Sequence, residues 1–191
     1  MGSLVCRTQV SGRTKCSAGV SLAVARAGPE LEDQNTPKMT AQDKTREAFD
    51  ERVRLFAYRH MLRHEKSPAV REIAAGLGFP VAKVRTALAR LSESHAFMLQ
   101  ENGELWRVAP FSCVPTAFPV TVGKRTWFAN CIWDALGIPA MLRENAEIQA
   151  ACGCCNHDMP LGIHDGKLSS NRGIIHIAVP AREWYQDVVF T

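Results

Sequence analysis

A thiol and a carboxyl group stand three residues apart in the second half of the chain, as Cys131 and Asp134 within residues 126–139. If this segment is helical, the two side chains share one face, because residues i and i+3 are neighbours on a helix surface. A cap at Thr126 or Asn130 would begin the helix, and the second choice puts Cys131 in the first turn, where the helix dipole lowers the pKa of a thiol. A thiolate beside a proton-carrying oxygen suits a reaction in which sulfur captures a soft centre while a leaving group is protonated.

Each of these two residues also has a purely structural interpretation. Cys131 could be a buried, inert cysteine, which is a common role for this residue type. Asp134 could be a solvated helix residue or a charge partner of the helix N-terminus. The neighbours of Asp134 are apolar on several sides, and burial among them would raise its pKa and make it a better proton donor.

Seven cysteines are present, and three of them crowd into residues 151–158 together with His157. An odd number of cysteines, unevenly spaced, argues against a secreted disulfide framework and favours a reducing cytoplasm. The crowded group has three interpretations, namely contact with a metal of the reaction, a structural zinc site, and plain loop cysteines. Against zinc, the usual pairs of cysteines separated by two residues and joined by a spacer are absent. The seven are Cys6, Cys16, Cys113, Cys131, Cys152, Cys154 and Cys155.

The residues around the thiol and the carboxyl group form a longer motif. Residues 127–136 read Trp-Phe-Ala-Asn-Cys-Ile-Trp-Asp-Ala-Leu, and residues 138–140 read Ile-Pro-Ala. This string resembles the alkylmercury lyase (organomercurial lyase) family, in which an aromatic-rich helix carries Cys, then Asp three residues on, then Pro. The resemblance extends more weakly over about residues 45–191.

The resemblance implies protonolysis of a carbon–mercury bond, which releases a hydrocarbon and leaves Hg(II) on thiols. In this sequence Cys131 would be the primary mercury-binding thiolate and Asp134 the proton shuttle. The expected contacts to mercury are Cys131, Asp134 and, as an outside candidate, Cys152. No organic cofactor is expected, but an external thiol is required. The implied partners are an organomercurial substrate and, as acceptor of Hg(II), a thiol carrier or mercuric reductase.

The sequence departs from the family pattern at one position. The family carries a second catalytic cysteine near its C-terminal strand, after an aromatic segment. The corresponding residues 181–191 contain no cysteine. The chain is therefore interpreted as a truncated reading, as an incomplete homologue, or as a protein that uses a different second thiol.

The elements that precede the motif predict a winged-helix-like domain. Helices are expected at residues 40–65, with Thr40 and Asp43 as a capping box, and then at residues 67–77 and 81–92. A hairpin is expected around Asn102-Gly103, a strong turn signal. Three helices followed by a hairpin are typical of a winged helix.

The second half predicts a small sheet with one or more helices, so that the fold class is α+β. The Cys/Asp helix is expected at about residues 126–137 and should end or kink before Pro139. Strands are expected at residues 117–122, 146–151, 161–164 and 173–179, with a turn at Asp165-Gly166. The predicted division is a disordered tail at residues 1–39, a winged-helix-like domain at 40–112, and a catalytic domain at 113–191.

The charge distribution bears on an alternative function. Of 23 Lys and Arg residues, four lie in residues 1–29, which contain no acid, so the rest of the chain has 19 bases against 19 acids. Residues 81–92 carry Lys83, Arg85 and Arg90 and could form a recognition helix of a thiol- or metal-binding regulator. A neutral body argues against nucleic acid as a partner, and no apolar run approaches the length of a membrane span.

Overall fold

The computed structural model describes residues 2–6, 40–169 and 173–177, and its first long element is helix α1 (Ala41–His64). The predicted capping box is present, since the Asp43 amide donates to Thr40 Oγ1 at 3.1 Å and the Thr40 amide donates to Asp43 Oδ2 at 3.2 Å. The helix ends at Glu65, which adopts a left-handed conformation. Its buried face repeats every four residues, as expected for one stripe of a helix, at Phe49, Val53, Ala57 and Met61.

Two shorter helices and a hairpin follow. Helix α2 (Val70–Leu77) starts later than the sequence predicts, because Pro68 lies before the capping residue Ala69 instead of inside the first turn. Helix α3 (Val81–Glu93) leads to strands β2 (Met98–Leu99) and β3 (Leu105–Val108), joined through Asn102 and Gly103. A Cβ atom at Gly103 would lie 2.5 Å from an Arg85 nitrogen, and its φ is +78°, so glycine suits this turn.

The hairpin strands are part of an antiparallel sheet of eight strands, which continues into the second half of the chain. The strand order is β2-β3-β4-β6-β5-β7-β8-β9. The predicted two-residue turn at Asp165-Gly166 is confirmed, and both of its residues have positive φ, as a tight hairpin turn requires. The strands of this sheet not yet given are β4 (Phe111–Ser112), β5 (Pro119–Val122), β6 (Arg125–Ala129), β7 (Ala146–Ile148), β8 (Leu161–His164) and β9 (Lys167–Leu168).

A second sheet has two strands, one near the start of the chain and one in its last fifth. Strand β1 (Gly2–Cys6) pairs antiparallel with β10 (Gly173–Ile177), and β10 falls within the strand predicted at residues 173–179. Strand β1 lies in the predicted tail and was not predicted. The remaining residues of that tail, and residues 178–191, lie outside the described part of the chain.

Helix α4 (Ile132–Leu142) corrects the prediction for the Cys/Asp helix. Residues 126–129 belong to β6, because Trp127 and Ala129 alternate into the core while the strand pairs with β5 and β4. The helix therefore begins at Ile132. It also runs through Pro139 to Leu142, so the predicted end before Pro139 is wrong.

The four helices and the antiparallel sheet confirm the α+β class. One cluster of buried residues contains side chains from α1, α2, α3, α4 and the sheet. The sheet continues across residue 112, since β4 pairs with β6, and the division into domains at that residue stays a prediction. Within the described residues, no helix is both long and apolar enough to cross a membrane.

Trp127 ties the sheet to the first helix, because its indole N–H donates to the Met61 carbonyl at 2.8 Å and the side chain is 1% exposed. We expect Trp127→Phe to lower the free energy of unfolding by about 1–3 kcal/mol, through the lost hydrogen bond and the space left behind. Urea unfolding followed by circular dichroism measures this change. Trp133→Phe is the control, since Trp133 is 57% exposed and its substitution should have little effect.

Candidate functional site

Cys131 occupies the junction between β6 and α4. Its backbone is extended, with φ −154° and ψ −179°, and it is the N-cap residue of α4. Its carbonyl accepts from the Ala135 amide at 2.9 Å, while its side chain makes no capping hydrogen bond. The half-buried sulfur therefore lies at the positive end of the helix dipole without serving as a cap, and this position favours its thiolate form.

Asp134 is the third residue of α4, one helical turn from the thiol. Partial burial raises the pKa of its carboxyl group, while the hydrogen bond from Asn130 and the charge of Arg107 oppose that rise. Burial outweighs both, so the carboxyl group holds a proton at higher pH than an exposed aspartate does. The structure thus gives Asp134 the partly buried environment that the sequence suggested.

Asn130 connects this carboxyl group to a neighbouring loop of the sheet. Its Nδ2 donates to Asp134 Oδ2 at 2.8 Å, and it lies 3.4 Å from the Pro110 carbonyl and 3.3 Å from the Phe111 carbonyl. The prediction that Asn130 could be the N-cap residue of this helix is wrong, because Cys131 is the N-cap residue.

Arg107 of β3 is a cation close to both reactive groups. Burial lowers the pKa of its guanidinium group, and the charges of Asp134 and Cys131 act in the opposite direction. Its guanidinium carbon also lies 4.3 Å from the centre of the Trp106 ring. A partly buried cation stabilises both a thiolate and a carboxylate. Arg107 was not predicted as a site residue, although an arginine between apolar residues of the hairpin strand could have indicated a functional role.

Tyr58 of α1 is a residue of the first helix that lies near Asp134. Its hydroxyl donates to the Ala109 carbonyl at 2.7 Å, and its ring contacts those of Phe97 and Phe111. Burial raises the pKa of Tyr58, and the charge of Asp134 adds to that rise. No local pattern marked Tyr58, because Asp134 lies 76 residues further along the chain.

The tryptophans predicted to wall the site behave differently from each other. Trp127 is buried in the core, whereas Trp133 is 57% exposed. Trp133 follows Ile132 in the first turn of α4, so it lies beside Asp134 along the chain but presents its ring to solvent. Trp127 therefore supports the strand that leads into the site.

The crowded cysteines form a separate turn. Cys152 is 2% exposed, and its amide donates to the His157 carbonyl at 2.8 Å, while Cys154 and Cys155 are exposed. Among the described residues, no group of three or more His, Cys, Asp and Glu side chains is arranged to hold a metal ion. Cys131 and Asp134 thus lie three residues apart at the start of α4, and Cys152 is not the third member of a metal-holding group with them.

Cys113, between β4 and β5, is another thiol in the second half of the chain. Burial raises its pKa to about 11, opposed by a hydrogen bond with the Ser67 side chain. At neutral pH its sulfur is therefore protonated, and a protonated thiol is a poor ligand for a soft metal.

Two of the comparisons with known proteins gave a match. Residues 111–191 match the family model described as alkylmercury lyase, which confirms the resemblance stated from the motif. A solved structure described as the mercury-bound form of MerB2 is similar with a TM-score of 0.50 and 17% sequence identity, and the match covers 66% of this chain and 66% of that chain. At this identity the likeness concerns the fold, and the chain spans about two thirds of that protein. No curated protein sequence matches the chain.

The raised pKa of Asp134 predicts a dependence of stability on pH. A carboxyl group with a raised pKa in the folded state stabilises the fold below its unfolded value of 3.8, and this contribution is lost as the pH rises through the folded pKa. We therefore expect Asp134→Asn to gain stability relative to the parent chain as the pH rises from about 4. Urea unfolding at a series of pH values measures the difference, and a difference that does not vary with pH would contradict the assigned burial.

The raised pKa of Cys113 predicts slow alkylation. With a pKa of about 11, roughly one molecule in a thousand carries the thiolate at pH 8. We expect iodoacetamide to label the exposed Cys154 much faster than Cys113, as followed by peptide mass spectrometry. Unfolding in urea should remove the difference, and equal rates in the folded protein would show that Cys113 is accessible and ionised.

Proposed function

We propose that this chain, whose residues 111–191 match the alkylmercury lyase family, cleaves carbon–mercury bonds by protonolysis. One observation carries the proposal: a thiol at the N-cap of α4 and a partly buried carboxyl group with a raised pKa share the first turn of one helix. This pair lies inside the segment that matches the family.

The first step is capture of the organomercurial by sulfur. The Cys131 thiol loses its proton to the Asp134 carboxylate, and the thiolate displaces the leaving anion of R–Hg–X to form a sulfur–mercury bond. Soft sulfur is the natural ligand of a soft metal centre. The helix N-terminus and Arg107 both favour the thiolate that this step needs.

The second step is proton delivery to carbon. Asp134 returns the proton, the electron pair of the carbon–mercury bond takes it up, and the hydrocarbon R–H leaves. Mercury remains on sulfur as Hg(II), and its oxidation state does not change, so the step requires no redox cofactor. Raising the pKa of Asp134 by burial brings its acid form closer to working pH, as a proton carrier requires.

A second sulfur increases the electron density on mercury, and we assign this role to an external thiol. Among the described cysteines, Cys113 is protonated at neutral pH. Cys152 stays an outside candidate for a mercury contact, although it forms no three-residue group with Cys131 and Asp134. The external thiol, as a small carrier or on mercuric reductase, then removes Hg(II). A reducing cytoplasm is the compartment that supplies such thiols.

We assign a structural role to the region formed by α1, α2, α3 and the β2–β3 hairpin, which has the element order of a winged helix. Its three candidate DNA-contacting cations are engaged within the molecule. Lys83 lies 4.1 Å from the centre of the Phe79 ring, Arg85 donates to the Asn102 carbonyl at 3.0 Å, and Arg90 Nε donates to Asp50 at 2.8 Å. In the described residues nothing favours the alternative of a thiol-binding regulator.

Release of benzene from phenylmercury tests the proposed function. With excess small thiol, we expect the parent chain to release benzene and Cys131→Ser to release none above background. Asp134→Ala should still bind phenylmercury but release benzene at least about a hundredfold more slowly, because the proton carrier is gone. Gas chromatography measures benzene, and equilibrium dialysis measures bound mercury.

Cys155→Ser is the matched control, since it removes an exposed thiol from a turn outside the pair and should leave release unchanged. Full activity of Cys131→Ser would refute the proposal. Stoichiometric binding through Cys131 with no benzene from the parent chain would instead indicate a mercury-binding protein.

A further inference from the structure

The carboxamide of Asn130 lies among three oxygen acceptors. Its Nδ2 donates to Asp134 Oδ2 at 2.8 Å and faces the backbone carbonyls of Pro110 and Phe111 at 3.4 and 3.3 Å. A backbone carbonyl can only accept a hydrogen bond, and so can an ionised carboxylate. All three neighbours therefore require the NH₂ group on this side of the amide.

The opposite amide orientation is excluded by the same three oxygens. Turning the amide by 180° would put its oxygen against three acceptors and lose every one of these bonds. The observed orientation carries a cost, since Asn130 Oδ1 is buried and has no hydrogen-bond partner among the described residues. A buried acceptor left unsatisfied is unfavourable, and the structure accepts this cost to aim a donor at Asp134.

We propose that Asn130 is a positioning residue that holds Asp134 by Oδ2 and leaves Oδ1 as the oxygen that carries the transferred proton. This inference rests on the proposed function and adds to it the atom through which the proton passes. An oxygen that accepts from an amide N–H is best satisfied when it bears negative charge, so a proton on Asp134 resides preferentially on Oδ1. The two backbone carbonyls lie beside β4, so the sheet fixes the direction of the carboxyl group.

The amide also distinguishes the two oxygens of the carboxyl group. Asn130 Nδ2 donates to Asp134 Oδ2 at 2.8 Å, so this hydrogen bond does not involve Oδ1. In the acid form the proton of Asp134 lies on the oxygen that is not tied to Asn130, and it can move to carbon without breaking that hydrogen bond.

The test compares variants of Asn130 in binding and in a single turnover. Asn130→Leu keeps approximate size without a donor, and Asn130→Asp keeps the shape but replaces the donor with an acceptor. We expect both to bind phenylmercury as the parent chain does and to release benzene about tenfold to a hundredfold more slowly, since misplacing a reacting group by about 1 Å has effects of that size. The loss should fall on the release rate, not on binding.

Thr116→Val is the matched control. The Thr116 hydroxyl donates to the Ala129 carbonyl at 2.6 Å, next to Asn130 along the chain, and accepts from the Phe118 amide at 3.2 Å, so its hydrogen bonds go to the backbone. Thr116→Val removes a hydrogen bond to the residue before Asn130 but keeps the Asn130 amide. The rate of benzene release by this variant should therefore stay within about twofold of the parent rate. An equal loss in Thr116→Val, or an unchanged rate in Asn130→Leu, would overturn the assignment.

A second readout does not depend on activity. The side-chain amide signals of Asn130 in a ¹H–¹⁵N spectrum, assigned by their absence in Asn130→Asp, should move strongly in Asp134→Ala and little in Thr116→Val. If the parent chain releases no benzene while these signals respond to Asp134, the lyase proposal fails and the hydrogen bond stands. If the amide signals of Asn130 do not move in Asp134→Ala, Asn130 does not hold Asp134, whatever the rate of benzene release.

Discussion

A carboxyl group taken partly out of water at the start of α4 is the constraint around which the site is arranged. Removing a carboxylate from water costs several kcal/mol unless donors or cations compensate it. Asn130 supplies one donor at 2.8 Å, and Arg107 supplies a nearby positive charge. The compensation is incomplete, since burial still raises the pKa of Asp134. Under the proposed function, this incomplete balance suits a residue that takes up a proton and later releases it.

The groups that interact electrostatically with this carboxyl group come from the first half of the chain as well as the second. Tyr58 belongs to α1 and Arg107 to β3, and both precede residue 111, where the match to the lyase family begins. The first half therefore contributes groups to the candidate site. Its helix packs the Tyr58 ring against Phe97 and Phe111, and its hairpin brings a cation near the thiol and the carboxyl group.

The environments of two cysteines show how position alone separates thiols of the same chemistry. Cys131 lies half-buried at the positive end of a helix, next to a cation, where the thiolate is favoured. Cys113 lies in a loop where burial dominates and raises its pKa to about 11. The two thiols thus lie in opposite settings, one at the N-terminus of a helix beside a cation and the other in a buried loop where it is held protonated.

Local signals in the sequence were sufficient for much of the fold. The capping box at Thr40 and Asp43, the turns at Asn102-Gly103 and Asp165-Gly166, and the four-residue stripe of α1 depend on neighbours along the chain, and the structure has each of them. The spacing of Cys131 and Asp134 likewise placed both residues at the start of one helix, as the structure has them. The boundary between β6 and α4 was misplaced, because strand pairing with β5 and β4 decides the conformation of residues 126–129.

What the sequence determined by itself is therefore the chemistry of the pair and most of the elements that carry it. Only the tertiary structure decided how that chemistry is tuned. Sheet pairing and helix packing bring Arg107 and Tyr58 near Asp134 across up to 76 residues, and they bring the Phe111 carbonyl to Asn130, which holds Asp134. Burial and charge act through space, so no spacing along the chain could reveal that these groups meet at one carboxyl group.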